Sequence, residues 1–542
     1  MKILISILSI ILFSYSLFAQ SAVNKDRELQ VEKNYNNEIY AAHPIFDFAN
    51  ISVPGNPPVA IGLDSMIGAP SFTPDLDLLI KPVAYKSNLS NSGHNGMLKF
   101  DKGTINPWHA QGGYVYSSPN YFTLHASGEY DKWKQSLIPD QNITEGNGNI
   151  GVTYYITSDL KASVDINYKN QKYGLYARQE DNAEALQNVN QFNSIGINLG
   201  IQTFRTLPSK WNMEFFLAGD KWNENNTDRT ENNIEIASQL QYKSSNKLIL
   251  KTAPTYSLSQ SDALETAYYF SNVLQAELDY KTSSIAFGIN TTNFGNSLSI
   301  WPTVNIDWRI ADTDHLTFST SQNISINSAQ RISSYNPYVD FTLLPIANSS
   351  NVQLKDFYRD RNISASYKSA RIPSWNFTAG ASYNQIDGDQ NFQLIDSRQN
   401  FNIERIDYSL LQAKLGVEYK LLEDIMKIGL DVTYNKYQNA SSSLFHRPEF
   451  IVEPIIQSSL INNKLDLTLS SNINAPQLLS VENEVELKSS WRTNVSFEAK
   501  YEILKRMNIY LNADNILNDE YQQWNGYNNF GRNLSVGILL KI

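Results

Sequence analysis

The sequence predicts an all-β chain: a transmembrane, antiparallel, up-and-down β-barrel of about 22 strands, within a range of roughly 14–22. Three observations predict it. Apolar and polar residues alternate with period two over run after run, as they do when successive side chains of a strand point to opposite faces. The runs come in pairs joined by short turns, and longer polar loops separate the pairs. Past the first twenty residues, no unbroken apolar segment approaches the ~20 residues of a membrane-spanning helix, although 42% of the chain is hydrophobic.

Residues 1–19 read as a secretory signal. Lys2 supplies the positive start, Ile3 to Phe18 the apolar stretch, and Ala19 before Gln20 the small-residue cleavage position. The rival reading, an uncleaved anchor, is disfavoured because the stretch is short and polar sequence follows at once. Residues 20–96 form an N-terminal extension. It opens with a charged stretch containing Leu29, Val31, Glu32, Lys33 and Tyr35, then becomes punctuated by Pro44, Pro54, Pro57, Pro58, Pro70 and Pro82. Proline removes a ladder donor, so central strands are excluded here. The expected role is an extended segment that enters the lumen or docks a periplasmic partner; the competing reading is a disordered tail.

Residues 97–542 are expected to be the barrel. Phe122, Leu124 and Ala126 alternate with Thr123, His125 and Ser127; Leu160, Ala162, Val164, Ile166 and Tyr168 alternate with Lys161, Ser163, Asp165, Asn167 and Lys169. A soluble sandwich would give the same alternation, but with shorter strands and evenly spaced turns. The short/long rhythm is that of an outer-membrane barrel, with tight periplasmic turns and long exterior loops. Ten short turns are expected at 117–120, 157–159, 206–209, 243–246, 281–284, 311–314, 370–374, 421–424, 460–463 and 503–506. Longer loops are expected at 131–149, 170–191, 220–232, 323–362, 385–404 and 472–491. Tyr168, Trp211, Tyr242, Tyr280, Trp308, Tyr419 and Tyr434 sit near run ends, where amphipathic rings favour the headgroup level.

The last strand alternates Leu534, Val536, Ile538, Leu540 and Ile542, as closure against the first strand requires. Before it stand Asn515-Ile516-Leu517-Asn518, Tyr521, Trp524-Asn525-Gly526-Tyr527 and Gly531-Arg532. This stretch resembles the end of a TonB-dependent receptor barrel; Ile542 replaces the aromatic residue that usually ends such barrels. The resemblance implies a 22-strand barrel. It also implies an N-terminal plug and a TonB box, and residues 20–96 are too few for that plug. The charged stretch Leu29–Tyr35 and the later Lys81-Pro82-Val83 instead resemble the extension of plug-less, receptor-like barrels of the Bacteroidetes.

Chemistry is sparse. The six histidines stand at no metal-ligand spacing, and there is no cysteine, hence no disulfide or lipoprotein attachment point. His125 is expected to line the lumen beside Glu129, with no nucleophile motif to make it catalytic. Asp387-Gly388-Asp389 reads as a tight loop turn rather than a calcium site. No catalytic residue, cofactor or metal is expected, and a formal charge of −10 without a basic patch argues against nucleic acid. The expected setting is the outer membrane of a Gram-negative bacterium, in contact with its lipid. The expected function is solute passage; the alternative is an accessory subunit of an outer-membrane machine for protein assembly, secretion or nutrient uptake. Its partners would be envelope proteins: periplasmic, surface lipoprotein or another barrel.

Overall fold

The computed structural model describes the strands Ala42–His43 and Val83–Ala84, and residues 93–542 apart from 119–121, 135–140, 157–159, 176–188, 204–210, 226–227, 246–247, 263–265, 281, 295–296, 340–356, 395–400, 422–424 and 483–484. Ala19, Gln20, Leu29, Val31, Glu32, Lys33 and Tyr35 lie outside the described residues.

Twenty-two strands close into one barrel. In chain order the first eight are β1 Gly93–Gly103, β2 Trp108–Ser118, β3 Phe122–Lys134, β4 Asn142–Tyr155, β5 Leu160–Gly174, β6 Val189–Thr203, β7 Trp211–Glu224 and β8 Arg229–Lys243. Next come β9 Leu248–Ser261, β10 Ala267–Tyr280, β11 Ser283–Phe294, β12 Ser297–Ala311, β13 Asp314–Ile326, β14 Phe357–Ser369 and β15 Trp375–Leu394. The last seven are β16 Phe401–Leu421, β17 Met426–Gln438, β18 Phe450–Leu460, β19 Leu465–Asn474, β20 Arg492–Leu504, β21 Met507–Asp514 and β22 Asn533–Lys541.

Every barrel neighbour is antiparallel, and β22 pairs with β1 from Lys541 opposite Met97 to Ser535 opposite Gly103. Gly96 and Ile542 exchange two further backbone hydrogen bonds, at 3.0 and 2.7 Å. Gly537 makes this seam possible. A Cβ there would stand 2.4 Å from the Phe100 carbonyl oxygen and 2.5 Å from the Tyr510 ring. Each of the ten short turns expected from the sequence coincides within two residues with a junction between consecutive strands, from β2–β3 to β20–β21, and 157–159 and 206–209 themselves lie outside the described residues. Because the strands are antiparallel, those turns share one end of the barrel with Ile542.

Strand length is where the expectation fails. β15 and β16 are 20 and 21 residues long, and most others exceed the ten-residue runs that the alternation marks. Large parts of 131–149, 170–191, 220–232 and 385–404 are therefore strand rather than loop. The cause is physical: above the bilayer neither face of a strand meets lipid, so the alternation fades while the backbone ladder continues.

The outer face is apolar. Ile150, Val164, Ile166, Ile195, Ile197 and Leu199 all lie exposed on consecutive strands, a band that only a lipid environment would cover. Aromatic pairs mark its turn-side border: Trp211 lies 4.5 Å from Tyr242 and Trp375 lies 4.5 Å from Tyr419, centroid to centroid. The inner wall is polar. His125 on β3 meets Asp165 on β5 at 2.8 Å across β4, a contact that fits only because Gly151 stands between them without a side chain.

Candidate functional site

At the loop end the polar wall gives way to aromatic side chains. Trp133, Ile143, Tyr173, Phe192, Trp222, Phe392, Phe401 and Ile403 lie at the loop ends of β3–β7, β15 and β16 and are all buried. They pack on residues delivered by loops: Ile332, Tyr335 and Val339 after β13, and Trp524, Tyr527 and Phe530 between β21 and β22. The result is a cap with an apolar core, seated inside the outer mouth of the barrel.

The β13–β14 segment folds into the mouth through a short helix, α1, Ala329–Tyr335. Ser328 caps it, its side chain accepting from the Arg331 N–H at 3.1 Å. The wall then grips it. Glu231 on β8 accepts from the Ala329 N–H at 2.5 Å, and Asn233 donates to the Gln330 side chain at 3.0 Å. Beyond the helix, Asn190 on β6 donates to the carbonyls of Pro337 and Val339 at 2.8 and 3.1 Å. The rings of Tyr338 and Tyr527 stack at 3.8 Å, which joins the two loops face to face. Gln141 and Gln477, from two further loops, donate to backbone carbonyls of Asn528 and Gln523 at 2.9 and 3.2 Å.

Beside the apolar core lies a charged network. Arg447, from the β17–β18 loop, meets Asp389 at 2.8 Å and the Gln390 carbonyl at 2.9 Å, and Tyr408 donates to Asp389 at 2.8 Å. Burial works against the Arg447 charge, but the adjacent Asp389 carboxylate outweighs it and raises the guanidinium pKa above its usual range. Its neighbour His446 is pushed down to about 3, chiefly by burial; backbone groups of Gln523 and Phe392 oppose the shift, and Arg492 and Arg447 add to it. His446 is therefore a neutral ring, packed 4.7 Å from Trp524. A cavity of about 30 Å³ remains between Tyr358, Asp389, Tyr408, His446, Arg447 and Trp524. It has room for about one water.

The C-terminal motif residues scaffold this cap. Asn515 takes a left-handed conformation (φ 47) and donates to the Asp519 and Phe530 carbonyls at 3.1 and 3.0 Å. Asn518 accepts from the Arg532 N–H at 2.9 Å, and the Tyr521 N–H donates to Asn529 at 3.0 Å. Gly526 (φ 82) turns the chain between Trp524 and Tyr527, and Gly531 and Arg532 lead back into β22. Ile542 stands apart from them, at the seam on the turn side. Asp387-Gly388-Asp389 does not sit in a loop: it forms a bulge within β15 opposite β16. Its carboxylates are matched by arginines, Asp387 by Arg361 at 2.7 Å and by Arg359, and Asp389 by Arg447.

The cap aromatics escaped the sequence reading, although a signal existed. Trp133 shares the parity of His125, Glu129 and Asp131 on β3, and Trp222 that of Asp220 on β7. An aromatic ring in phase with the polar face points inward.

No protein-family profile and no curated protein matches the sequence. Solved structures do match the fold. The FrpB iron transporter from Neisseria meningitidis (F3-3 variant) superposes with a TM-score of 0.65 at 10% identity, over 84% of this chain and 82% of that one. The siderophore receptor PirA from Acinetobacter baumannii gives 0.65 at 9%, over 84% and 81%. The copper transporter OprC gives 0.61 at 10%, over 84% and 82%. The chain is thus an outer-membrane β-barrel with the fold of these receptors and transporters.

Proposed function

We propose that this barrel serves solute passage across the outer membrane, as a TonB-dependent receptor-like barrel whose sequence carries no recognisable plug. The carrying observation is the division of the interior into two parts: a polar wall along the strands and a separately folded cap across the mouth. The wall offers water and polar solutes a continuous hydrogen-bonding surface, through residues such as Asp165, Asn198, Asp220 and Gln239. The inserted half of the cap, Ile332, Tyr335, Val339, Trp524, Tyr527 and Phe530, comes from two loops, so it can move away from the strand-borne half without breaking a barrel ladder. Two proteins of the same fold are iron and copper transporters and a third is a siderophore receptor, which supports this reading.

The alternative is a non-transporting subunit of an envelope complex. It is favoured by the hairpin Leu478–Glu482 and Val485–Lys488 outside the barrel, where Val485 and Leu487 are 68% and 50% exposed, and by Trp491 just after it, 52% exposed. Apolar residues in such positions suit a partner protein. The deciding experiment is purification of the tagged protein from native outer membranes in mild detergent, followed by mass spectrometry. Recovery of the barrel alone supports passage. A fixed-ratio set of envelope proteins overturns it in favour of the accessory role, and deletion of residues 20–92, which leaves β1 whole, would then show whether the extension docks them.

A further inference from the structure

We propose that the inner wall at the barrel seam binds a divalent first-row transition-metal cation through His109 Nε2 and the carboxylates of Asp101 and Glu129, with Asp131 holding the ring from its Nδ1 side. These residues come from three adjacent strands, β1, β2 and β3, near their loop ends. His109, Glu129 and Asp131 each offer a ligand atom within 4.8 Å of the other two. Imidazole with carboxylates is a donor set that suits zinc, iron, manganese and copper ions.

The orientation of His109 is what a metal ligand requires. The ring is buried, 3% exposed, and its Nδ1 lies 2.6 Å from Asp131 Oδ1. A carboxylate on one ring nitrogen fixes the tautomer and leaves the other nitrogen with its lone pair free. That other atom, Nε2, is buried without a hydrogen-bond partner among the described residues and stands 4.0 Å from Asp101 Oδ2. Two ligands of one ion can span such a gap, since metal–nitrogen and metal–oxygen bonds are each about 2.0–2.2 Å.

Two more oxygens are stranded in the same place. Glu129 Oε1 and Asn106 Oδ1 are buried without a hydrogen-bond partner, while the Asn106 amide donates to Asp131 at 3.3 Å. Buried polar atoms are seldom left unsatisfied, and a cation held by His109 Nε2 and Glu129 Oε1 would satisfy those two atoms together. The charge agrees. Three carboxylates stand against one buried ammonium, Lys99, whose Nζ lies 4.5 Å over the Tyr510 ring, so acidic groups outnumber basic ones around the site. Tyr510 in turn donates to Asp101 at 2.5 Å and holds that carboxylate in place.

The site does not depend on whether the lumen conducts. The test uses the full chain, purified in detergent and freed of metal with a chelator, titrated with Zn²⁺ by calorimetry and with Cu²⁺ by electron paramagnetic resonance. One saturable equivalent of Zn²⁺ per barrel is expected, with His109→Gln and Glu129→Gln each weakening it at least ~10-fold. The Cu²⁺ spectrum should carry nitrogen coupling that disappears in His109→Gln and persists in His125→Gln. Heat-modifiable gel mobility shows which variants are folded, and if His109→Gln is not, Glu129→Gln decides. Absence of saturable Zn²⁺ binding to the wild type overturns the proposal, as does binding that the folded variants leave unchanged.

Discussion

Trp524→Ala removes the ring at the centre of the cap. Trp524 is 4% exposed and packs against Phe392 at 5.3 Å, Phe401 at 5.8 Å and His446 at 4.7 Å. Deleting a buried tryptophan costs about 3–5 kcal/mol in packing and cavity terms. Here the loss falls on the seating of the loops, because the barrel ladders do not pass through Trp524. A loop can also relax partly into the space, so the lower bound, about 3 kcal/mol, is the appropriate figure. At ~1.4 kcal/mol per tenfold, the equilibrium for local opening should rise roughly a hundredfold. Amide hydrogen exchange measures that equilibrium directly. Protons in 329–339 and 521–530 should exchange roughly a hundredfold faster, while those of the membrane-level strands stay unchanged. If α1 keeps its protection in a folded Trp524→Ala barrel, the two loops do not form one packed cap. If the strands lose protection too, the cap is not a separate unit from the barrel.

Three other perturbations probe the same architecture. His446 is held near 3 in the closed cap and would titrate near ~6.5 once exposed, so the opened form binds the proton more readily. The closed state therefore has its full contribution above about pH 6.5 and loses ~1.4 kcal/mol per pH unit below that, about 2 kcal/mol by pH 5. The opening equilibrium of 439–449, read from exchange rates divided by their intrinsic rates at each pH, should rise about 30-fold between pH 6.5 and 5, and His446→Phe should flatten that slope. Glu231→Ala deletes a charge-assisted hydrogen bond to the start of α1, worth about 1.5–3 kcal/mol. It should loosen 329–335 at least tenfold in hydrogen exchange without altering heat-modifiable mobility. Gly537→Val places a branched side chain against the Phe100 carbonyl and the Tyr510 ring at the seam. It should sharply reduce the folded band in that gel assay, whereas valine at the lipid-facing Ile538 should not.

The fold was legible because lipid imposes a strict rule. A strand that crosses a bilayer must present apolar residues outward at every second position, so runs such as Ile195, Ile197, Leu199 and Ile201 announce both strand and face. Turn chemistry then located all ten hairpins. Above the membrane the rule lapses, which is why 131–149 and 385–404 read as loop while the ladder continues through much of them. The cap was illegible for a different reason. Its members come from distant parts of the chain, Trp133 and Phe530 or Tyr338 and Tyr527, and only barrel closure brings them together. The C-terminal motif was visible as a pattern, but its task was not. Asn515 and Asn518 serve the fold by taking left-handed conformations and bonding backbone groups of their own loop.

The claim that the polar lumen is a passage held shut by its own cap is tested most directly by planar-bilayer conductance of the wild type beside Trp524→Ala. The account predicts little current through the wild type and frequent, larger openings through the variant, increasing further as the pH falls below 6.5. A variant that is folded and loosened by hydrogen exchange, yet conducts no more than the wild type, would contradict it.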